Sequence, residues 1–583
     1  MGRRSVFKII LHSFCMLALL MLAGCSSRSS GGRISLAPGA QQAGDVEGAS
    51  NTILAGSQVN GGEGPPGGDE GATLDDPITS YDEQDVWSIV PFTDPRTQET
   101  YDIIDGRVLV SFKNPPPVPQ VDPNYFDAER LPTDQAYSIP YPPIITDPDI
   151  AAFIAAEGLE VISDWKCIKS IGASLPEGQT VEDAVANWPQ EYSEIIDTVD
   201  PDAVDYNDST PPETPNDDRF INPPPLFSYP TESQWAINGT NSKGDIHIRQ
   251  VWAQDEQNGA AYTNPTIAII DSGVDFDNVI GGINTYNLDL TPNSTLYGCN
   301  VGDSKASTTF LTRESEGGEP WQWLKDLSAD NAINIGHGTG VAGVCSAATN
   351  NDGNDLEDSR DISGIAYKPK YFPIAVKYKG GYSKLAKINA YIAVGCVQGC
   401  IDKTKEYGAG FFVPHYQVEV ANCSTGGPAF PCAEQRTLDR VTPFILFVCA
   451  AGNTAGTQSQ YPAHYAPCLS VGAYNQQGNW ICRNCSDIKI SAPGSDIWTT
   501  DMIGTNSNGD DLGFGHGSTY TMSGTSISTP HVSAVALLIS CKMYWLTPAQ
   551  VKDRVISKAV YSISVGPPGV GRVDAWRCLY ELP

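Results

Sequence analysis

Basic side chains are scarce in this sequence: 36 lysines and arginines stand against 68 aspartates and glutamates, a net charge of −32 over 583 residues. A surface of that charge repels nucleic acid and anionic lipid head groups, so both are excluded as specific partners. Histidines number only seven, and no pair of them stands at the spacing of zinc ligands. The CxxC at Cys482 and Cys485 has no second CxxC either, so we expect no zinc there.

The rest of the composition is that of a large globular protein. Hydrophobic residues make up 40% of the chain, enough for a substantial core, while 56 glycines and 43 prolines indicate long irregular stretches. The chain is also longer than one ordinary domain. We therefore expect a large core domain and a smaller one.

The first 25 residues have the pattern of a removable export signal rather than of a spanning helix. Arg3, Arg4 and Lys8 precede an apolar run that ends in LAGC at Cys25. This ending resembles the lipobox of bacterial lipoproteins, which implies a lipidated Cys25 at the mature N-terminus. We expect an exported protein of the cell envelope, anchored to a membrane through that lipid. The alternative is an ordinary secreted protein with an incidental Cys25.

Cysteine is frequent for a chain that is exported. Thirteen of the fifteen cysteines lie beyond the export signal, so they cannot all pair with one another. An exported protein keeps disulfides. Three pairs are close in sequence and are candidates: Cys396 with Cys400, Cys423 with Cys432, and Cys482 with Cys485.

Two segments before the main domain differ in their patterns. Residues 26–99 are rich in glycine, serine and proline with little apolar periodicity, which is typical of a flexible spacer. Residues 100–200 alternate strand-like and helical patterns in the order β, α, β, β, α, β, and this predicts a small ferredoxin-like α+β domain. Residues 201–225 are polar and proline-rich, as in a linker.

The remaining segment, residues 226–583, alternates short apolar runs with helices of small residues. PTIAIID, FPIAVK, PFILFVCAAGN and CLSVGAY are apolar throughout rather than alternating, which fits strands that are buried on both faces. We predict an α/β domain of three layers, in which helices flank a mostly parallel sheet. Chemistry in such sheets takes place beyond the carboxyl ends of the strands.

Three residues at such positions form a reactive set. Asp271 ends the strand-like IIDSG, His337 begins a helix in GHGTGVAG, and Ser526 begins another in GTSISTPHV, where Pro530 suits a first helical turn. A serine hydroxyl is a weak nucleophile until a base takes its proton. His337 is suited to be that base, with a buried Asp271 holding its tautomer.

These motifs and their order resemble the subtilisin-like serine proteases, or subtilases. The resemblance implies a serine-type endopeptidase that acts on proteins or peptides, with Asp271, His337 and Ser526 as its triad and no cofactor in the chemistry. Asn453 in CAAGN resembles the family's oxyanion-hole asparagine. No acidic residue stands beside Thr454, the expected pocket-lining side chain, so a strong preference for basic substrates is not expected.

The resemblance extends to other parts of the chain. VEVANCSTGGP is similar to the substrate-binding strand of the family, with Ser424, Thr425 and Gly426 on the motif, although bulkier neighbours are usual there. The small domain resembles the family's N-terminal propeptide, a folding chaperone and inhibitor, and this implies synthesis as a zymogen.

A loop after the His337 helix stands where many subtilases hold a calcium ion. Asn351, Asp352 and Asp355 supply suitable oxygens there. The spacing does not complete a known calcium loop, so a solvated polar turn is the alternative.

A binding protein without catalytic activity is the alternative to an endopeptidase. A subtilase fold without activity would be a lipoprotein that binds peptides in the same groove. This hypothesis predicts that replacing Ser526 changes nothing in peptide cleavage.

Overall fold

The computed structural model describes residues 88–118, 143–206, 234–237, 244–258, 266–274, 277–280, 283–286, 290, 297–300, 309–312, 336–347, 362–366, 369–378, 381–395, 418–453, 458–481, 487–500, 519–561 and 570–581. The chain divides into two compact units, Met1–Thr79 and Ser80–Pro583, and all of these residues belong to the second. Cys25 therefore lies outside the described residues. Within them, no helix combines the length and apolar character that a membrane crossing requires.

The small domain has the predicted order of elements. Its helices are α1 (Pro148–Glu157) and α2 (Val181–Glu191), and its strands are β1 (Ile89–Thr93), β2 (Thr100–Phe112), β3 (Glu160–Trp165), β4 (Ser170–Ser174) and β5 (Ile196–Asp205). The strands pair antiparallel in the order β5-β2-β4-β3, the ferredoxin-like arrangement, and β1 adds to β2. The two helices meet in the core, where the rings of Phe153 and Trp188 pack edge to face 5.3 Å apart.

The predicted boundaries of this domain need two corrections. Strand β1 lies within the segment expected to be spacer, because residues 89–93 pair with the first half of β2. Strand β5 continues to Asp205, past the point where the linker was expected to begin. Its last residues pair with the main domain, where Asp205 lies opposite Tyr382 in an antiparallel ladder.

The main domain contains the predicted parallel sheet. Nine strands are hydrogen-bonded in the order β10-β9-β11-β6-β14-β15-β16-β17-β20, and all the pairs are parallel except β9 with β10. Their bounds are β6 (Thr266–Asp271), β9 (Tyr297–Asn300), β10 (Thr309–Thr312), β11 (Lys370–Ala375), β14 (Val418–Cys423), β15 (Leu446–Ala450), β16 (Leu469–Tyr474), β17 (Ile490–Pro493) and β20 (Gly571–Arg572). Among the described residues, three antiparallel strand pairs lie outside this sheet: β7 (Asp277–Ile280) with β8 (Ile283–Tyr286), β12 (Lys377–Tyr378) with β13 (Gly381–Ser383), and β18 (Ile497–Thr500) with β19 (Thr519–Met522).

Helices cover both faces of the sheet. Strand β6 sends Ile267 and Ile269 into one core cluster and Ala268 and Ile270 into the other, which explains why its sequence is apolar throughout. The first cluster packs under α3 (Ile248–Asn258), α4 (His337–Ser346), α7 (Thr525–Lys542), α8 (Pro548–Ser557) and α9 (Ala575–Tyr580), and the second under α5 (Lys384–Val394) and α6 (Cys432–Val441).

The structure contradicts one of the candidate disulfides. Cys423 and Cys432 both have free thiols. Cys423 ends β14 inside the core, with its Sγ 3.6 Å from the hydroxyl of Tyr391, whereas Cys432 begins α6 and its backbone N–H donates to Asp200 of the small domain. Cys167 of the small domain is disulfide-bonded. The other candidate pairs, Cys396 with Cys400 and Cys482 with Cys485, lie outside the described residues.

The small domain packs against α5 and α6 of the main domain. Leu109 and Trp165 share a buried cluster with Leu385 and Ile388. The indole N–H of Trp165 donates to the side-chain oxygen of Asn389 at 2.7 Å, where both residues are buried. The interface therefore combines a shared hydrophobic cluster with a buried side-chain hydrogen bond.

Candidate active site

Asp271 lies at the carboxyl end of the central strand β6 and is fully buried. Its Oδ1 accepts the backbone N–H of Ser272 at 2.8 Å and lies 2.7 Å from Nδ1 of His337. The hydroxyl of Tyr382 lies 3.4 Å from the same oxygen. These contacts hold the carboxylate in one orientation.

His337 is the first residue of α4, and its side chain is 1% exposed. Gly336 caps the helix with a φ of 77°, a left-handed conformation that favours glycine. Gly338 packs so tightly that a Cβ there would overlap the carbonyl of Gly273. The GHG motif therefore lets the helix start directly beside Asp271. The Nε2 of His337 is buried and has no hydrogen-bond partner among the described residues.

Helix α7 begins at Thr525, one residue before the start predicted at Ser526. Pro530 lies in the second turn of the helix, whereas the first turn was predicted. Proline has no N–H to donate to the carbonyl four residues before it, which belongs to Ser526. That carbonyl accepts the hydroxyl of Ser424 at 2.7 Å instead. The proline thus ties the start of α7 to the segment that follows β14.

The hydroxyl of Ser526 donates to the backbone carbonyl of Ser424 at 2.8 Å. Ser526 and His337 both belong to the described residues, and no hydrogen bond joins their side chains in this structure. The structure brings Asp271 and His337 into contact and places Ser526 against the segment after β14.

Asn453 follows β15 in a loop that turns at Gly452, whose φ is 97°. Its side-chain Oδ1 accepts the backbone N–H of Thr525 at 2.8 Å, and Thr525 Oγ1 in turn accepts the N–H of Gly452 at 3.1 Å. The N-cap residue of α7, Gly524, offers no side chain to this helix end. Asn453 therefore supplies a missing cap from another loop.

Ser424, Thr425 and Gly426 directly follow β14, and Ser424 and Thr425 are buried. Gly426 exchanges backbone hydrogen bonds with Tyr206, the residue after β5, in an antiparallel bridge. The end of the small domain thus occupies the groove in which the sequence predicted an extended peptide.

Several predicted site residues lie outside the described residues: Thr454, Asn351, Asp352 and Asp355. In the part of the chain that the structure describes, no group of three or more histidine, cysteine, aspartate or glutamate side chains is arranged to hold a metal ion.

Sequence reasoning missed three residues near the groove. Tyr382 lies against Asp271, while Lys384 and Lys387 on α5 point at the end of β5. The only sequence signal was two lysines three positions apart on a helix whose other residues are mostly apolar. Helical periodicity predicts that such lysines share a face, but not that the face is buried.

His531 was expected to pack or to face solvent, and it packs. It is buried in α7, and its ring Nδ1 lies 2.9 Å from the carbonyl of Ile527. Burial lowers the pKa of His531 to about 4. We therefore interpret His531 as a neutral histidine with a structural role.

The model of the subtilase family matches residues 263–574, just over half of the chain. This match spans Asp271, His337, Asn453 and Ser526. The chain belongs to the subtilase family. The resemblance found in the sequence motifs and the three-layer α/β fold are thereby confirmed.

This subtilase is similar to curated proteases over part of their length. It is 28% identical over 377 residues to an extracellular protease of Xanthomonas campestris pv. campestris, an overlap of 62% of this chain and 56% of that protein. It is 29% identical over 248 residues to a thermostable alkaline protease of Halalkalibacterium halodurans, an overlap of 42% of this chain and 58% of that protein. The chain thus spans less than two thirds of each of these relatives.

A solved structure shares the fold. The crystal structure of fervidolysin from Fervidobacterium pennivorans, a keratinolytic enzyme related to subtilisin, superimposes with a TM-score of 0.53 at 18% identity. The alignment covers 82% of this chain and 61% of that one. At this identity the similarity concerns the fold alone.

Proposed function

We propose that this subtilase is a serine endopeptidase that hydrolyses peptide bonds in proteins through Asp271, His337 and Ser526. The observation that carries the proposal is the 2.7 Å contact between His337 Nδ1 and the buried carboxylate of Asp271. A carboxylate in that position accepts the Nδ1–H and leaves Nε2 as the basic nitrogen. The family match and the protease relatives support the same activity.

The reaction follows from these groups. His337 Nε2 takes the hydroxyl proton of Ser526 while Oγ attacks the scissile carbonyl carbon. The negative charge on the carbonyl oxygen is stabilised by the side-chain amide of Asn453 and the N–H of Ser526. The proton on His337 then goes to the leaving amine, and the acyl group stays on Ser526. Water that loses a proton to His337 attacks the ester, releases the acid and restores the serine.

The resting contact of Ser526 with the Ser424 carbonyl suits this sequence of events. Gly426 and Tyr206 form a hydrogen-bonded antiparallel pair, so the substrate residue two positions further on pairs with Ser424. Its N–H takes over the Ser424 carbonyl from the Ser526 hydroxyl. Substrate binding thereby frees the hydroxyl to turn to His337.

We also propose that the small domain is an inhibitory propeptide and that the chain is made as a zymogen. The Tyr206–Gly426 bridge, directly after its last strand, supports this proposal. Asp202 supports this arrangement: its buried carboxylate accepts the Ser383 hydroxyl and the Leu385 N–H at the start of α5. An acidic side chain is favourable at a helix N-terminus.

For the location of the protein, we propose that it is exported and carries a lipid on Cys25. The extracellular protease of Xanthomonas supports export. Calcium at Asn351, Asp352 and Asp355 is a further proposal, with a structural role. Neither the lipid nor the ion takes part in the chemistry proposed for Ser526.

The test uses the chain from Ser26 onward, as wild type and as Ser526→Ala, with and without a fluorophosphonate that reacts with activated serines. We expect wild type to lose an N-terminal fragment and to gain the mass of one probe at Ser526, while the folded variant does neither. Identical behaviour of the two proteins would refute the proposal and favour the inactive, peptide-binding alternative. Probe uptake without processing would remove the zymogen alone.

A further inference from the structure

The end of β5 lies between two segments of the main domain. On one side, Asp205 pairs with Tyr382 of β13, and on the other Tyr206 pairs with Gly426. The groove is therefore lined by backbone on both edges. A side chain at the position of Asp205 has to enter the interior.

Asp205 enters a buried pocket of charged groups. Its Oδ2 lies 2.5 Å from Nζ of Lys387 and 2.9 Å from Nζ of Lys384, and Lys384 also contacts Glu434 of α6 at 2.9 Å. All four side chains have no exposed surface. A Cβ on Gly427 would overlap the carboxylate of Asp205, so the glycine makes room for it.

The charges of the pocket balance only while the groove is filled. The main domain contributes two ammonium groups, Lys384 and Lys387, and one carboxylate, Glu434. Asp205, from the small domain, supplies the second negative charge. Burial opposes the ammonium charge of Lys387, but Asp205 and the other negative neighbours raise its pKa above the usual value. Without Asp205, the remaining groups of the pocket carry one excess positive charge, to which a carboxylate in the groove is complementary.

We infer that Lys384 and Lys387 select substrates with an aspartate or glutamate three residues before the residue whose carbonyl is attacked. The inference rests on the proposed function, because it assigns the specificity of that same site. A substrate carboxylate replaces the one that Asp205 supplies and restores neutrality. A neutral or basic side chain at this position leaves the two ammonium groups underpaired.

The spacing follows from the register. In a substrate that binds as the end of β5 does, the acidic residue takes the place of Asp205 and the next residue pairs with Gly426. Two positions further, a residue faces Ser424, whose carbonyl lies 2.8 Å from the hydroxyl of Ser526. The carbonyl of that residue is therefore the one nearest the nucleophile. It is the third residue after the acidic one.

The experiment compares quenched fluorescent peptides that differ only at this position, with Asp, Glu, Asn, Ala or Lys. The enzyme is the protein obtained when the full chain has processed itself. The concentration of active enzyme is calculated from the fraction of molecules that takes up the fluorophosphonate. We expect kcat/KM for the Asp peptide to exceed that for the isosteric Asn peptide at least about 30-fold, since breaking a buried charge pair is expensive. The Lys peptide should be the poorest substrate.

A second comparison uses variants. Lys387→Met keeps the length of the side chain and removes its charge, so the Asp-to-Asn ratio should fall to about one. Lys489→Met is the matched control, because Lys489 is an exposed lysine of the same domain, and it should keep the wild-type ratio. The peptide series on the wild type stands by itself if Lys387→Met does not fold.

The two hypotheses fail in different ways. Full probe uptake with an Asp-to-Asn ratio near one in the wild type would overturn the cationic pocket and leave the protease in place. Absence of both probe uptake and cleavage would overturn the proposed function, and the specificity with it. A high ratio that Lys387→Met leaves unchanged would also refute the role of these lysines.

Discussion

Asn453 contributes to two properties that a pair of substitutions separates. Its Oδ1 accepts the N–H of Thr525 at the start of α7, which is a structural role. Its amide N–H groups are proposed to stabilise the oxyanion, which is a catalytic role. Asn453→Ala removes both, whereas Asn453→Asp keeps an oxygen for Thr525 and removes only the donor.

The magnitudes differ for the two roles. Loss of one oxyanion-hole donor lowers kcat by roughly a factor of 10² to 10³. Loss of the acceptor at the helix start costs about 1 kcal/mol of unfolding free energy. We therefore expect kcat to fall at least as far in Asn453→Asp as in Asn453→Ala, since a carboxylate repels the oxyanion. Only Asn453→Ala should be less stable than the wild type.

The assay measures kcat and KM on one peptide at a known concentration of probe-reactive enzyme, and stability by urea unfolding of the same substitutions in the Ser526→Ala background. Near-normal kcat in Asn453→Asp would refute the donor role. A large rise in KM with normal kcat in Asn453→Ala would do the same, because it would mean that the side chain binds substrate and transition state equally.

Two further predictions follow from the groove and from the core. The third residue after Asp205 is Asp208, so the first self-cleavage should release a fragment that ends at Asp208. Mass spectra recorded early in the processing reaction check this prediction. A first cut at another residue would contradict the register. His531 has a pKa of about 4 when folded and about 6.5 when unfolded, so its contribution is present above pH 6.5 and is lost as the pH falls toward 4. Urea unfolding of the Ser526→Ala protein should therefore reveal a loss of roughly 3 kcal/mol over this range that is missing in the further variant His531→Gln; equal slopes would argue against the neutral histidine.

Local sequence patterns predicted the central elements of the small domain and the buried strands of the main domain, although not β1 or the antiparallel strand pairs outside the parallel sheet. The apolar run TIAIID predicts a strand with two buried faces, and β6 indeed contributes to the cores on both sides of the sheet. The glycines around His337 and Ser526 predict helix starts that are closely packed, and α4 and α7 begin there. These features depend on neighbours in sequence, which periodicity and helix-capping preferences describe well.

Two of the errors concern contacts between segments of different elements. Residues 201–205 have the composition of a linker, but they form the last part of β5, where Ala203 pairs with Ile103 of β2 and Asp205 pairs with Tyr382 of β13. Cys423 and Cys432 are close in sequence, yet one ends a core strand and the other begins a helix. Composition and spacing contain no information about which strand edges or pockets are left open.

By itself, the sequence determined the order of the elements, the fold class and the residues proposed for the chemistry, because each is encoded in a short motif with its own backbone requirements. The tertiary structure alone decided what the groove holds and which charges surround it. Asp205 contacts Lys384 and Lys387, which lie about 180 residues further along the chain. That contact depends on the register of one strand between two others, and packing sets the register.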